Sequence, residues 1–389
     1  MRANKWLFVL IGYMLVSVLW SEMAFVSFKR WIREFEAIVM ALIVVTDPRP
    51  ADAFESVLRR VIYIHIPLSM TLVKYLPNYG VQFNRWTGDI MWVGVSTQKN
   101  GLGMLCLIAA FFLIWTTIRS WRDDTLTNTK LAKHRLYANG LIFVMTILLL
   151  KGPPGSYSSV SGYSSTSIAA LVLGTMTLLG LFWMKKRGSY MSTVTISGLL
   201  IIILFYGTIL PLSGGLSVSG FTSALGRDGT FTGRTDIWGE LVPYVQSRPL
   251  LGCGFGGFWT PEMRVKHIIS QAHNGYLEVL MEIGAVGLLL IATFILSFGS
   301  KAVRALKREF DLASFGICCL LMFVLHNATE ASINTFTNFF TALIMFAGMS
   351  VASIKSHQGN REQKYDRRTP DVSQNAPIAE PAPSVANAP

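Results

Sequence analysis

The sequence predicts an all-α, polytopic membrane protein: a bundle of about ten spans with one large, partly helical loop outside the membrane. Three observations support this fold class. Only 14% of the 389 residues are charged, against about 25% in soluble domains, and the mean hydropathy is +0.45. Apolar runs recur at roughly the length that a span requires, and the basic residues are distributed unevenly between the connections.

The apolar runs set the number of spans, although several are shorter than a full span. Met1, Arg2 and Lys5 resemble the start of a signal peptide, but no small-residue cleavage site closes the first run and further spans follow. We therefore expect the first run to be an uncleaved span. The predicted spans are 6–20, 35–46, 61–76, 102–118, 136–150, 166–184, 193–211, 276–299, 312–327 and 333–354.

Lys and Arg predict the orientation. With a cytoplasmic N-terminus and alternating spans, most of the 34 basic residues fall on the cytoplasmic side, including those in 119–135, 185–187 and 301–308. The positive-inside rule then predicts that both termini are cytoplasmic. The net charge of +12 is accordingly interpreted as a signal of orientation, with no nucleic-acid partner.

Domain organisation follows from the same pattern. Residues 1–355 are predicted to form the membrane domain, whose long outer loop covers about 212–272. The tail, 356–389, is rich in Pro, Ala, Ser and Asn and cannot bury a core, so we expect it to be disordered.

Some basic residues fall on the outer side, against the rule. Lys29, Arg30 and Arg33 lie in the connection after the first span, and Lys99 stands at the entrance of the fourth. They could bind lipid headgroups, or several outer loops could converge on a strongly anionic ligand such as a diphosphate. The long loop adds further cations: Arg227, Arg234, Arg248, Arg264 and Lys266.

The long loop contains a predicted helix over Asp236–Gln246, with Thr235 as a plausible N-cap. Ile237, Leu241 and Val245 recur at helical spacing beside Trp238, which favours a helix lying on the membrane or across the mouth of a cavity.

A glycine-rich stretch follows this helix. Gly252, Gly254 and Gly257 match G-x-G-x-x-G, but no strand precedes them and no long helix follows, so close packing of the loop is favoured over dinucleotide binding. Phe255, Phe258 and Trp259 are predicted to be interfacial anchors. The four cysteines have neither disulfide nor metal-site spacing.

Polar residues also stand at the entrance of the eighth span, in SQAHNGYLEVLMEIG. His273 is either a loop histidine without chemistry or part of an active site, and Asn274 marks the start of a helix. Glu278 and Glu282 lie within its first turns, where carboxylates face a cavity or a partner such as an arginine. His326 and Asn327 are either a second polar contribution or a span terminus.

Taken together, these motifs resemble the O-antigen ligase and polysaccharide polymerase superfamily, nearest its exopolysaccharide polymerase branch. The resemblance rests on LWS…SFKRWIRE (19–34), LRRVIYIHIPLS (58–69), WTGDIMWVGVSTQKNGLG (86–103), GRTDIW (233–238), P-LLGCGFGGFW (249–259) and AHNGYLE (272–278).

The resemblance implies a GT-C-like bundle in the bacterial inner membrane, with the large loop in the periplasm. It implies a metal-independent glycosyltransferase without cofactor, which polymerises or ligates glycan from an undecaprenyl-diphosphate-linked oligosaccharide onto a sugar acceptor. His273 would be the base and Arg234 would hold the diphosphate, joined by Lys29, Arg30, Arg33 and Lys99. Asn274 and Glu278 would be supporting residues, and membrane lipid, a chain-length regulator and an export complex would be further partners.

The sequence departs from the family in two ways. Family chains usually carry more spans before the LWS motif, so we expect a misassigned start or a missing N-terminal piece, and 156–167 is a looser form of a family segment. Two other functions stay open: a lipid-linked glycan transporter or flippase, which needs deep charges such as Lys74 and Glu282, and a non-catalytic scaffold of a polysaccharide assembly complex.

Overall fold

The computed structural model describes residues 4–83, 88–122, 130–153, 164–213, 234–267 and 269–351. The predicted tail, Arg227 and most of 156–167 lie outside these residues. The described part of the chain is mostly helical, which confirms the all-α class. An antiparallel pair of short strands, β1 (Val81–Phe83) and β2 (Ile90–Trp92), was not predicted.

Helices account for the rest of the regular structure. They are α1 (Lys5–Ser17), continued by a 3₁₀ turn (Val18–Trp20), α2 (Ala24–Val45), α3 (Pro50–Tyr75), α4 (Pro77–Gly80), α5 (Lys99–Arg122), α6 (Lys130–Lys151), α7 (Ser165–Lys186), α8 (Thr193–Leu212), α9 (Arg234–Ser247), α10 (Pro261–His267), α11 (Gly275–Ala305), α12 (Phe310–His326) and α13 (Phe339–Val351).

Each predicted span coincides with a helix. Among the described residues, α3, α5, α7, α8 and α11 are long and apolar enough to cross a membrane, and α1, α12 and α13 are shorter apolar helices. The boundary of the second span was misjudged: α2 runs without interruption from Ala24 to Val45, because this stretch contains no Gly or Pro that would end it. The basic residues 29–33 therefore lie on a rigid helix.

The core is built around α5, which packs against α6 and α7, while α12 packs against α7 and α11 against α1 and α8. Phe315 of α12 lies at its centre, with its ring 5.6 Å from Phe111 and 4.8 Å from Trp115. All three side chains are buried. This core holds the helix ends that carry the polar residues.

The helix α11 is broken at Gly284, where φ is 66° and ψ is −169°. Backbone groups freed by the break bond to the segment before α10: Ala285 N donates to Pro249 O at 2.9 Å, and Cys253 N donates to Met281 O at 2.9 Å. Non-helical backbone within a span requires partners of this kind. The glycine-rich stretch is therefore docked into the break.

The same stretch packs on the first helix. Phe255 N donates to Ser17 Oγ at 3.0 Å, and Trp20 Nε1 donates to Leu251 O at 3.2 Å. A Cβ added at Gly254, whose φ is 88°, would meet Ser17 O at 2.6 Å. Close packing, the predicted role of these glycines, is confirmed.

Ion pairs at the other end of the bundle join three helices. Glu55 of α3 accepts from Arg59 and Arg119, both at 2.7 Å. Asp311 of α12 accepts from Arg122 at 2.6 Å. We call this the clamp end, and the end that carries α9, α10 and the glycine-rich stretch the loop end.

Candidate functional site at the loop end

The loop helix α9 packs on the chain that precedes α11. Trp238 and Leu241 are fully buried and Val245 nearly so. The indole Nε1 of Trp238 donates to Ala272 O at 2.9 Å. The apolar face therefore covers the segment that carries His273, a packing that favours the second predicted placement, a helix across the mouth of a cavity.

The aromatic residues of the glycine-rich stretch are also inside. Phe255, Phe258 and Trp259 are each at most 4% exposed, so they are not interfacial anchors as predicted. The loop folds back onto the bundle, and burial of these large side chains fixes it there. Trp259 has a further role, because its Nε1 donates to the carboxylate of Glu278.

Glu278 fixes the chain beside His273. It is 6% exposed, and its Oε2 accepts from Ala272 N at 2.8 Å. The alternative of an arginine partner is wrong for this carboxylate: it bonds an indole and a backbone amide. Glu278 therefore supports the link between α10 and α11.

Asn274 caps α11, as its position predicted. Its Oδ1 accepts from Leu277 N at 2.8 Å, and its Nδ2 donates to Gly207 O at 2.9 Å and Ala328 O at 2.8 Å. Both of its amide donors and its amide oxygen are engaged within the fold. Asn274 thus has a structural part in the site: it ties the link to α8 and to the end of α12.

His273 has a left-handed backbone conformation, with φ at 51°. Such a conformation in a residue other than glycine costs of order 1–3 kcal/mol and clusters at functional sites. The side chain is 24% exposed, whereas its Nδ1 is buried without a hydrogen-bond partner. The accessible edge of the ring is therefore the one that carries Nε2.

Glu330, which sequence reasoning missed, joins the predicted residues. It lies in the connection between α12 and α13, and its Oε1 accepts from Arg234 Nη2 at 2.5 Å and from Asn100 Nδ2 at 2.7 Å. Its Oε2 lies 3.6 Å from His273 Nδ1, within ion-pair range but beyond a hydrogen bond. One carboxylate thus contacts three parts of the chain.

The electrostatics favour the ionised form of this carboxyl. Burial raises the pKa of Glu330, but pairing with His273 and Arg234 outweighs burial and holds the pKa below its ordinary value of 4.5. The side chain of Arg234 is 12% exposed and that of Glu330 6%. Together with His273 we call them the His273 cluster.

A pocket of about 340 Å³ opens beside this cluster, and Ser270, Gln271 and Ala331, which line it, are near neighbours of the cluster in sequence. Arg30 and Arg33 of α2 and Arg264 of α10 contribute cationic side chains to its wall. We call this the arginine pocket.

Carboxylates in the arginine pocket are held by protein donors. Glu34 accepts from Thr337 N at 2.8 Å, and Glu282 accepts from Asn334 Nδ2 at 2.8 Å. Both are at most 5% exposed, while the side chain of Arg33 is 63% exposed. The accessible charge of the pocket is therefore mainly positive, as an anionic ligand requires.

The remaining predicted cations lie apart from the pocket wall. Lys29 is exposed, with its Nζ 4.3 Å from the ring centroid of Phe25. Lys99 is half-buried at the first turn of α5, next to Asn100, which donates to Glu330. The structure thus joins Arg234 and His273 in one cluster and Arg30 and Arg33 in the adjoining pocket.

His326 ends α12 beneath the cluster. It is 2% exposed, and both of its ring nitrogens lack a hydrogen-bond partner. Its ring packs edge-on against Phe340 at 5.6 Å. Asn327 instead is fully engaged, since its Oδ1 accepts from Ser332 N at 2.9 Å. His326 and Asn327 thus mark the end of a span, and His326 also lies near the His273 cluster.

Two signals could have revealed the missed residues. Glu330 stands in a short connection on the same predicted side as His273, and Asn100 directly follows Lys99. Arg264 was noted among the outer cations but was not assigned to the site. Among the described residues, no group of three or more His, Cys, Asp or Glu could hold a metal ion.

Comparisons with known proteins agree with the sequence motifs. A family model described as O-antigen ligase matches residues 155–292, which include Arg234 and His273. The exopolysaccharide production protein ExoQ of Rhizobium meliloti (strain 1021) is 23% identical over 357 residues, covering 87% of this chain and 76% of the relative. By these findings the chain is similar to the O-antigen ligase and exopolysaccharide polymerase family, and its apolar helices indicate a multi-pass membrane protein.

Proposed function

We propose that the protein transfers a glycan from an undecaprenyl-diphosphate carrier to a sugar hydroxyl at the loop end of the bundle. The observation that carries this proposal is the position of His273: its side chain is 24% exposed, and Ser270 and Gln271, which precede it closely in sequence, line the arginine pocket. A base next to a set of cations suits a reaction in which a hydroxyl loses a proton and a diphosphate leaves.

The proposed reaction forms one bond and breaks one bond at the anomeric carbon. The acceptor hydroxyl oxygen attacks the anomeric carbon of the sugar attached to the carrier, and its proton passes to Nε2 of His273. The bond between this carbon and the diphosphate oxygen breaks, and the lipid diphosphate leaves with the electron pair. An imidazole with an unprotonated ring nitrogen can accept a proton and release it again, which suits such a transfer.

The cationic residues would bind the diphosphate and stabilise its leaving charge. Arg30 and Arg33 line the pocket, and we propose that Arg264 joins them. Lys29, Lys99 and Arg234 remain proposed ligands from the sequence. Guanidinium groups bind phosphate bidentately, so we propose that they take the part of a metal ion and that activity persists in a chelator such as EDTA.

We assign the loop end to the periplasmic face of the inner membrane and both termini to the cytoplasm. The support is the distribution of Lys and Arg: the clamp end collects Arg59, Arg119 and Arg122. A transporter or flippase would need charged residues deep in the spans, for which Lys74 and Glu282 were the candidates. Both lie near the loop end instead: Lys74 is exposed in the last turn of α3, and Glu282 borders the arginine pocket.

The experiment is reconstitution of the purified protein with a defined undecaprenyl-diphosphate-linked oligosaccharide, followed by analysis of the products. Chain extension would identify a polymerase, for which a chain-length regulator and an export complex are natural partners, and a new conjugate would identify a ligase. His273→Ala and Arg234→Ala are expected to abolish the product while the protein stays in the membrane.

The controls for His273→Ala and Arg234→Ala are a histidine and an arginine that lie away from the loop end. His134 and Arg60 are exposed on α6 and α3, and His134→Ala and Arg60→Ala should leave product formation unchanged. Wild-type product formation by His273→Ala would refute the proposed chemistry.

A further inference from the structure

We propose that Glu330 is a positioning residue that exchanges partners: it holds Arg234 in the resting site, and it orients His273 once a diphosphate draws Arg234 away. This inference rests on the proposed function and deepens it. It assigns a role to a carboxylate that the sequence motifs leave out.

The geometry supports the first half of this exchange. Arg234 Nη2 lies 2.5 Å from Glu330 Oε1, and the arginine side chain is 12% exposed. A diphosphate can therefore bind Arg234 fully only in competition with this carboxylate. Arg30, Arg33 and Arg264 lie in the adjoining pocket, so an anion held there would approach from the side of the cluster that Ala331 borders.

The second half of the exchange, in which Glu330 orients His273, rests on the position of His273 Nδ1. His273 Nδ1 is buried without a hydrogen-bond partner, 3.6 Å from Glu330 Oε2. A movement of less than about 1 Å would bring the two atoms into hydrogen-bond range. A carboxylate that accepts from Nδ1–H fixes the tautomer in which Nε2 carries the lone pair, and this is the form that a base needs.

The carboxylate is anchored for this exchange. Asn100 Nδ2 donates to Oε1 at 2.7 Å, so Glu330 keeps one neutral partner when Arg234 leaves. The other titratable groups that act on the cluster are His326, which acts on Glu330, and Glu278, which acts on His273. Neither contacts Glu330 through a hydrogen bond, so the exchange involves Arg234 and His273.

The test follows the titration of His273 with inorganic pyrophosphate as the probe. Protein labelled selectively at its six histidines is titrated by NMR in nanodiscs, and His273 is identified by its loss in His273→Gln. In the wild type, pyrophosphate should move the His273 midpoint upward by on the order of half a pH unit or more, because Glu330 loses a cationic partner.

In Glu330→Gln the same shift should fall by at least about half, since only the field of the pyrophosphate itself remains. Turnover of the lipid-linked substrate should fall by about tenfold to a hundredfold with a changed pH profile, and Glu330→Asp should restore part of it. If Glu330→Gln does not accumulate in the membrane, Glu330→Asp serves for the NMR comparison, because its shorter carboxylate reaches both partners less well.

The control is another carboxylate beside a histidine at the loop end. Glu240 is 61% exposed and lies 2.7 Å from His267 Nδ1, so Glu240→Gln should leave turnover and the His273 midpoint unchanged. Equal pyrophosphate shifts in the wild type and the Glu330 variant would overturn the exchange. Activity in His273→Ala would instead refute the proposed function itself, which separates the two failures.

Discussion

Replacing Gly284 by alanine should destabilise the protein by about 2–6 kcal/mol, because the backbone conformation and the neighbouring chain both exclude a side chain. At φ 66° and ψ −169°, the residue lies in a region that is essentially restricted to glycine and costs about 1–3 kcal/mol for other residues. A Cβ there would also overlap the carbonyl of Leu250. Relief requires moving Pro249 and Leu250 away from the break.

Moving Pro249 and Leu250 would also lower the free energy of unfolding. It would break the hydrogen bonds from Ala285 N to Pro249 O at 2.9 Å and from Val286 N to Leu250 O at 3.2 Å. Each such bond contributes roughly 0.5–1.5 kcal/mol net, which adds about 1–3 kcal/mol to the backbone term. The loop that carries Trp259 would shift with it, so turnover should fall as well.

The assay is unfolding in mixed SDS micelles, with turnover measured on the same preparation. Gly198→Ala is the matched control, since this glycine lies within α8 and a Cβ there meets nothing within 4 Å. Its unfolding free energy should equal or slightly exceed that of the wild type. An unfolding free energy of Gly284→Ala within about 0.5 kcal/mol of the wild type would refute the reasoning.

Three further predictions concern the site. Arg264→Ala should weaken inorganic pyrophosphate binding, measured by calorimetry, by roughly tenfold, the effect of losing about 1.4 kcal/mol; unchanged affinity would remove it from the proposed set. Because the pKa of Glu330 is lowered in the fold, its ionisation stabilises the protein above pH 4.5 and this stability is lost as the pH falls through the lowered value. Glu330→Gln should therefore show a smaller decrease in Tm between pH 5.5 and 3.5 than the wild type, and an equal decrease would contradict the pairing. Trp259→Phe removes a donor to buried Glu278 and should cost about 1–3 kcal/mol in the SDS unfolding assay; a neutral effect would show that Ala272 N alone satisfies the carboxylate.

The spans and the start of α11 could be predicted from the sequence because they depend on local information. Apolar runs reveal helices that contact lipid, and Asn274 is a cap that functions through Leu277 N, three residues further on. The sequence also indicated His273 and Arg234, because AHNGYLE and GRTDIW are among the motifs that carry the family resemblance.

Contacts between distant parts of the chain could not be predicted in this way. Glu330 meets Arg234 across 96 residues, and no periodicity or spacing encodes that contact. The burial of Trp259 was missed for a related reason: an aromatic residue near a span suits both the lipid interface and a folded loop. Which of the two applies depends on the break at Gly284, a backbone feature that hydropathy does not report.

The docking of the glycine-rich stretch on the first helix also determines when the site can assemble during synthesis. Phe255 bonds Ser17 across 238 residues and Thr337 bonds Glu34 across 303. At about 5–20 residues per second, the ribosome needs roughly 15–60 s to supply the 303 residues between Glu34 and Thr337. Throughout that interval α1 and α2 are made but lack the partners that complete the arginine pocket. We therefore expect a nascent chain released before Thr337 to lack these partners and to be inactive even when it is inserted in the membrane.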